Sequence, residues 1–401
     1  MKKRLQSLMD ALTKYAETCE KGGEVVTSEG IESFISPATE DAGEKIPAAI
    51  GKYWEWLIGQ MRSGKFLKPS SDRYDADTIK VWTVTRNVFL AFAKSYKKPI
   101  VWDTLNKPVM DAFVKYMEDY GYMKKSINKY IITFKALIKY AAVYHGLHDN
   151  LGCLNFLKKR AEVEGCTTTK TYLNDAEIQS LYDMPLEPGS LKDKVRDLFL
   201  VGCYTCQRVS DYAHLKKSSF TTTARGTKIV RLTQEKTGTT VAVPYLNENL
   251  PRILEKYDYN LPDLGKNADV LINRYLKIIL KDLSETVPSL AEPVKTTLTL
   301  RERRGEDAGK MDFDRDDDGN VIKPKYETIC THSARRSGLT NLYKSRLFTI
   351  RQLMSISGHK TETNFLLYIA QSSEELADEI AGILEERAKE RESAASNESL
   401  F

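Results

Sequence analysis

Long apolar runs are missing from this 401-residue chain: no stretch reaches the roughly 18 consecutive apolar residues that a membrane-spanning helix needs. The first residues, "MKKRLQSLMDALTKYAETCEKGG", are basic but have neither a continuous apolar core nor a cleavage pattern, which excludes a secretory signal there. The expected compartment is the cytoplasm, with no membrane partner. Cysteine is sparse and scattered (Cys19, Cys153, Cys166, Cys203, Cys206, Cys330), which does not resemble a disulfide framework. Cys203 and Cys206 form one C-x-x-C, but no second Cys/His pair follows at zinc spacing. They read as packed thiols on an apolar helix. No Walker loop and no metal cluster occur, so the chain is expected to use no metal and no cofactor.

What is present is the composition of a soluble globular protein, 41% hydrophobic and 29% charged. A chain of this length exceeds one ordinary core, so two or three domains are expected. The net charge of +5 conceals a strong asymmetry. Residues 51–160 hold 20 Lys/Arg against nine Asp/Glu, whereas residues 371–401 hold nine acidic and three basic side chains. The positive excess is therefore concentrated in one block, which suggests a polyanionic partner.

Four divisions follow. Residues 1–45 read as a helical appendage plus a Gly/Ser/Pro-punctuated linker. Residues 46–155 carry only helical patterning. In the last helix of that block, Ile127, Tyr130, Ile131, Phe134, Leu137, Ile138 and Ala141 share one face. Lys124, Lys125, Lys129, Lys135 and Lys139 occupy the other, at a pitch suited to DNA phosphates. After a basic connector, residues 172–370 mix helices (174–183, 191–215) with a hairpin at 227–245, and Asn174 is the expected N-cap of the first helix. Residues 371–401 form a helical tail. A second hairpin, 294–326, has a long polar tip in which Asp314, Asp316, Asp318 and Gly319 imitate the start of a calcium loop. Lys325 stands where the EF-hand needs a bidentate glutamate, so the tip reads as acidic and disordered, without metal.

The stretch "GHKTETNFLLY" ends in Tyr368, nine positions after His359, and reads as a short amphipathic helix with Phe365, Leu366 and Leu367 on its apolar side. A tyrosine attacking a phosphodiester needs help losing a proton from a phenol whose pKa is near 10. It also needs cations on the non-bridging oxygens and a proton donor for the departing alkoxide. The sequence offers such groups: Arg208 in "CYTCQRVSDYAHL", Lys236 beside a hairpin turn in "QEKTGTT", His332 and Arg335 one helical turn apart in "THSARRSGLTNLY", and His359 in "SGHK". Arginine suits the clamp because it stays charged and forks two donors onto phosphate.

These residues, in this order, resemble the active-site set of the tyrosine recombinases (the phage-integrase family), over residues 46–380. Two departures are small: Asp211 stands where glutamate is commoner, and Arg336 follows Arg335. The long polar hairpin resembles integrases of mobile elements in Bacteroides-type bacteria. The resemblance implies a mainly α fold with small β-hairpins: a helical SAM-like core-binding domain followed by an α+β DNA breaking–rejoining domain. It implies site-specific DNA recombination through a 3′-phosphotyrosyl intermediate, without metal or ATP. Tyr368 would be the nucleophile, Arg208 and Arg335 the phosphate clamp and Lys236 the acid, while His332 would assist proton transfer at the tyrosine and His359 would hydrogen-bond the phosphate. Implied partners are double-stranded DNA, three further copies in a tetramer on paired sites, and accessory DNA-bending proteins, in the nucleoid. The alternatives are a type IB topoisomerase-like activity and a non-catalytic helical DNA-binding protein; a calcium- or zinc-dependent interaction protein would have to explain both charge and motif away.

Overall fold

The computed structural model describes residues 46–159, 170–305, 313–371 and 373–398, with isolated positions before residue 46. The readings made for residues 1–45, for most of the connector and for residues 306–312 of the hairpin tip lie outside the described residues. The chain divides into two compact units. One takes Met1–Gly165 with Leu298–Met311, and the other takes Cys166–Thr297 with Asp312–Phe401.

Among the described residues, the core of the first unit is formed by the helices α1 (Ile50–Ser63), α2 (Ala76–Ser95), α3 (Lys107–Asp119) and α4 (Lys124–Lys139). Their starts follow from short polar side chains that satisfy orphan amides. Asp75 accepts from the Thr78 N–H, and Asn106 accepts from the Val109 N–H beside a proline at the helix start. The core is aromatic: Trp54 stacks on Phe134 with centroids 5.5 Å apart, and Phe134 lies 4.9 Å from Phe89. Ile127, Ile131, Leu137 and Ile138 of α4 are fully buried, each contributing about 1.5–3 kcal/mol of hydrophobic stabilisation. That buried stripe turns the lysine face of α4 outward.

The second unit begins with α5 (Asp175–Asp183), which opens on the expected Asn174 cap in a reciprocal box with Glu177. Next come α6 (Leu191–Thr205) and a single-turn α7 (Val209–Tyr212). Strands β1 (Phe220–Thr222), β2 (Lys228–Thr233) and β3 (Thr240–Pro244) form one antiparallel sheet in the order β1-β2-β3. Val230 pairs with Val243 and Leu232 with Val241, which puts the apolar residues on the core face. Helices α8 (Asn249–Lys256) and α9 (Ala268–Leu283) follow, then β4 (Pro293–Lys295). The chain passes through α10 (Leu300–Arg303), which belongs to the first unit, and returns in β5 (Ile322–Pro324), antiparallel to β4. The last elements are α11 (Lys325–Thr328), α12 (Thr331–Lys344), α13 (Ile350–Ser357), α14 (Glu362–Leu366) and α15 (Ser373–Glu398).

Three local expectations change. The apolar pattern of 191–215 is not one helix: α6 stops at Cys206, whose backbone is left-handed at φ 57°, and Arg208 caps the next turn in an extended conformation. Strand β1 joins the expected hairpin as a third strand. The stretch 359–368 is helical only over α14. Phe365 is buried there, while Leu366 and Leu367 are exposed.

The centre of the second unit is the crossing of α6 and α12. Gly338 makes it possible: a Cβ there would lie 2.1 Å from the Cys203 carbonyl oxygen, closer than any side chain could sit. This contact sets α12, and with it Arg335, directly against the end of α6.

Candidate active site

Four helix ends and one hairpin turn meet at the site. Cys206 terminates α6 and directs its carbonyl oxygen to Arg335, whose Nη1 donates to it at 3.2 Å. The next residue, Gln207, is fully buried and its amide nitrogen donates to the Thr205 and Ile356 carbonyls, both at 2.9 Å. Arg208 then places its Nη1 3.3 Å from Oε1 of Gln234, in the turn between β2 and β3. Gly238, at φ 62°, lets that turn close with its N–H on the Gln234 carbonyl at 2.9 Å. Lys236 stands exposed on the turn. Asp211 braces it, since Oδ1 accepts the Glu235 N–H at 2.9 Å.

Helix α12 is anchored at its start by the Thr331 N–H, which donates to Asn273 Oδ1 at 2.7 Å. Its first turn presents His332 outward and Arg335 inward. Arg335 is 0% exposed, its Nη2 donating to the Ser357 carbonyl at 2.7 Å and lying 3.2 Å from Nε2 of His359. Arg336 points elsewhere, with its Nη1 donating to the Thr171 carbonyl at 3.1 Å. Gly358 caps α13 in the left-handed conformation, at φ 70°, and releases His359 toward the cluster. Ser357 Oγ lies 2.8 Å from His359 Nδ1. Tyr368 follows α14 by two residues. Its ring lies 5.0 Å from His332 and 4.8 Å from His359, and the Arg335 guanidinium carbon sits 5.3 Å from its centroid.

The electrostatics follow from this packing. Burial, with the Arg208 charge beside it, brings the Arg335 guanidinium down to about 10. Burial and the cations Arg335 and Arg208 bring the His359 imidazole down to about 4, so it is neutral at pH 7. His332 is exposed overall, yet lost hydration on its packed face, then Arg336, Arg335, Arg208 and Lys236, lower its imidazole below the ordinary value. Two neutral imidazoles thus flank the tyrosine amid a group of arginines. Neutral imidazole accepts a proton, and the cations favour an anion in their midst.

Arg208, Lys236, His332, Arg335, His359 and Tyr368 therefore gather in one unit. The four on α12 and the α13–Tyr368 segment are in contact. Arg208 and Lys236 are near enough to depress His332. Sequence reasoning missed Gln207, Gln234 and Ser357, neutral residues that no motif flags. Lys124, Lys125 and Lys129 are exposed on α4, and Lys135 and Lys139 are half-buried. Within the aspartate-rich tip, residues 314–320 form a turn: the Asn320 N–H donates to Asp316 Oδ1 at 2.8 Å, and Lys295 Nζ lies 2.9 Å from Asp316 Oδ2. Lys325, in the twelfth place of the imitated calcium loop, is committed to the buried Glu177 carboxylate at 2.7 and 2.8 Å. Among the described residues no cluster of three or more His, Cys, Asp or Glu could hold a metal ion. No described helix is long and apolar enough to cross a membrane.

Residues 65–150 match the model of the phage integrase SAM-like domain. A search of the curated proteins finds no match. Among solved structures, the chain resembles the XerH site-specific recombinase bound to a palindromic difH substrate, with a TM-score of 0.54 and 14% identity over 87% of this chain and 99% of that one. The lambda integrase dimer bound to a COC′ core site is similar at TM-score 0.50 and 13% identity, over 85% of each chain. The Tn1549 transposon integrase in complex with transposon right end DNA is similar at TM-score 0.50 and 14% identity, over 84% of this chain and 99% of that one. The fold is that of the tyrosine recombinases, a SAM-like helical domain joined to a mainly α domain with small antiparallel sheets.

Proposed function

We propose that the protein is a site-specific DNA recombinase that cuts and rejoins duplex DNA through a covalent bond to Tyr368. The observation that carries this reading is the Tyr368 ring lying 5.0 Å from His332, 4.8 Å from His359 and 5.3 Å from the Arg335 guanidinium. In the first step the Tyr368 phenol oxygen bonds to the scissile phosphorus as the bond to the 5′ oxygen breaks. His332, neutral and beside the ring, takes the phenol proton, and Lys236 on its turn gives a proton to the departing 5′ oxygen. Arg208 and Arg335 stabilise the charge that grows on the non-bridging oxygens, and His359 hydrogen-bonds there once its ring turns away from Arg335. The phosphodiester energy is kept in the 3′-phosphotyrosyl bond, and attack by a partner strand's 5′-hydroxyl reverses the chemistry.

Residues 46–155 form the core DNA-binding domain in this reading, and residues 172–370 the catalytic one. The α4 lysines would contact the phosphates. The active assembly is a homotetramer on paired sites, at the nucleoid in the cytoplasm; the lambda integrase of the comparison is itself a dimer on its core site. Accessory DNA-bending proteins would assist it.

The test is a nicked DNA duplex that loses its leaving strand after cleavage and so traps the covalent product. Peptide mapping is expected to find the DNA on Tyr368. Tyr368→Phe is expected to abolish the linkage while DNA affinity stays nearly unchanged, because one hydroxyl is lost. Linkage to another tyrosine, with Tyr343 the nearest in sequence after Arg335, would move the nucleophile. Relaxation of supercoils by the monomer, without recombination sites, would favour a topoisomerase.

A further inference from the structure

Gln234 stands out among the residues behind the site. It is fully buried, and every hydrogen-bonding capacity of its amide is used. Its Nε2 donates to Gln207 Oε1 and to the Ser357 carbonyl, both at 2.8 Å. Its Oε1 accepts from Thr237 Oγ1 at 2.8 Å and from Arg208 Nη1 at 3.3 Å. One amide thereby joins the end of α6, the turn after β2 and the end of α13. Those three places carry Arg208, Lys236 and His359. The fit is close on the fourth side as well: a Cβ on Gly358 would lie 2.6 Å from the Gln234 amide oxygen.

A buried amide with four satisfied bonds is costly to desolvate and cannot slide without orphaning a group. An apolar residue would fill the space with less penalty, so the amide's contribution lies in the orientation it imposes. We infer that Gln234 is a positioning residue, which holds the Arg208 guanidinium and the Lys236 turn in one fixed relation to the His359 end of α13. It touches no reacting atom. The inference rests on the roles proposed above for Arg208 and Lys236, and its test separates the two.

Gln234→Met keeps length and volume and removes all four bonds. Thr237→Val removes only the bond to the turn and lies outside the core, so it remains informative if the first variant folds poorly. The first measurement needs no DNA: amide hydrogen exchange over residues 234–239 of the full chain. Exchange in that turn is expected to quicken about tenfold in both variants, with α6 and α12 unchanged. Unaltered protection of the turn overturns the inference, whether or not the chain cuts DNA.

The second measurement is single-turnover cleavage of the nicked duplex, in two forms. With the ordinary 5′ oxygen, the rate is expected to fall about 100-fold in Gln234→Met at unchanged DNA affinity, as when an acid is misplaced. With sulfur at the bridging 5′ position, the departing thiolate needs no proton, a thiol pKa being about 8.5. Thr237→Val, which is expected to lose about tenfold on the ordinary substrate, should recover most of that loss, and Gln234→Met part of its own. The residue left in Gln234→Met reports on Arg208. Equal losses on both substrates would overturn the link to Lys236. Failure of the unaltered protein to form a covalent product would instead overturn the recombinase reading and leave the exchange result standing.

Discussion

His359 is held at two places, Ser357 Oγ at 2.8 Å from its Nδ1 and Arg335 Nη2 at 3.2 Å from its Nε2. Burial disfavours the imidazolium, and the Arg335 and Arg208 guanidiniums add to this, so its pKa drops to about 4 while an unfolded histidine titrates near 6.5. The sign of the pH effect follows: the unfolded chain binds the proton more tightly. In the DNA-free protein, stability is thus expected to be complete above about pH 6.5 and to decline as the pH falls toward 4. His332, His145 and His148 are depressed too and add to the same slope. Denaturant midpoints measured between pH 4 and 7 test this; the decline should be shallower in His359→Asn, and an equal slope in that variant would reject the assignment. Arg335 raises a second matter at this scale. It lies wholly buried beneath Tyr368, so a phosphate reaches it only after the ring or His359 shifts. The six residues proposed for the chemistry could be singled out in the sequence because their types are chemically rare in that order, and the structure gathers them in one unit. Gln207, Gln234 and Ser357 could not, because a neutral side chain announces its partners only once three separate chain ends have been folded together.

Among the elements, those with a full apolar period were the readable ones. The buried stripe of α4 runs from Ile127 to Ile138 and leaves Lys124, Lys125 and Lys129 outward, as the 3.6-residue pattern requires, with Lys135 and Lys139 half-buried at its margin. The break at Cys206 was not readable, since a non-glycine residue at φ 57° is imposed by tertiary contacts, here the Arg335 bond to its carbonyl and the packing of α12. Gly338 is the element-scale counterpart. Gly338→Ala would press a methyl 2.1 Å from the backbone oxygen of Cys203, and no side chain can yield to relieve it. The two helices must part, at a cost of about 1–3 kcal/mol or more, with Arg335 displaced. Guanidinium unfolding of the variant should show that loss; unchanged stability would mean that the crossing is looser than the 2.1 Å approach implies. For α4, Lys125, Lys129 and Lys139 replaced by alanine should weaken binding to all DNA sequences alike. The salt dependence should flatten by roughly one unit of slope for each phosphate left without its cation. Affinity that held at every salt concentration would reduce the lysine face to solvated surface.

At the scale of the whole molecule, charge and apolar surface are divided unevenly along the chain. Residues 51–160 carry a large positive excess and residues 371–401 a negative one. The negative segment is α15, tied at its start by Glu375 Oε1 to Lys344 Nζ at 3.0 Å. Beyond that tie most of its apolar stripe is exposed, Leu376 at 44%, Ile380 at 52% and Leu384 at 61%, with Ile383 half-buried. A 26-residue helix with so narrow a stripe gains little from packing on itself, and an isolated helix is marginal in water. A stripe left largely open while the helix base is anchored favours docking on a neighbouring protomer over docking on the chain's own second unit, and its acidic character fits a basic subunit better than DNA. In the proposed tetramer such a contact would link the segment carrying Tyr368 to assembly, and limit which subunits cut together. Removal of residues 372–401 is therefore expected to spare binding to a single DNA site and to impair the pairing of two sites. Leu376, Ile380 and Leu384 replaced together by serine should have the same effect with the helix retained, which separates the stripe from the tail's mere length. Light scattering and native gels on paired sites read the outcome, and normal tetramers from either variant would remove the tail from assembly.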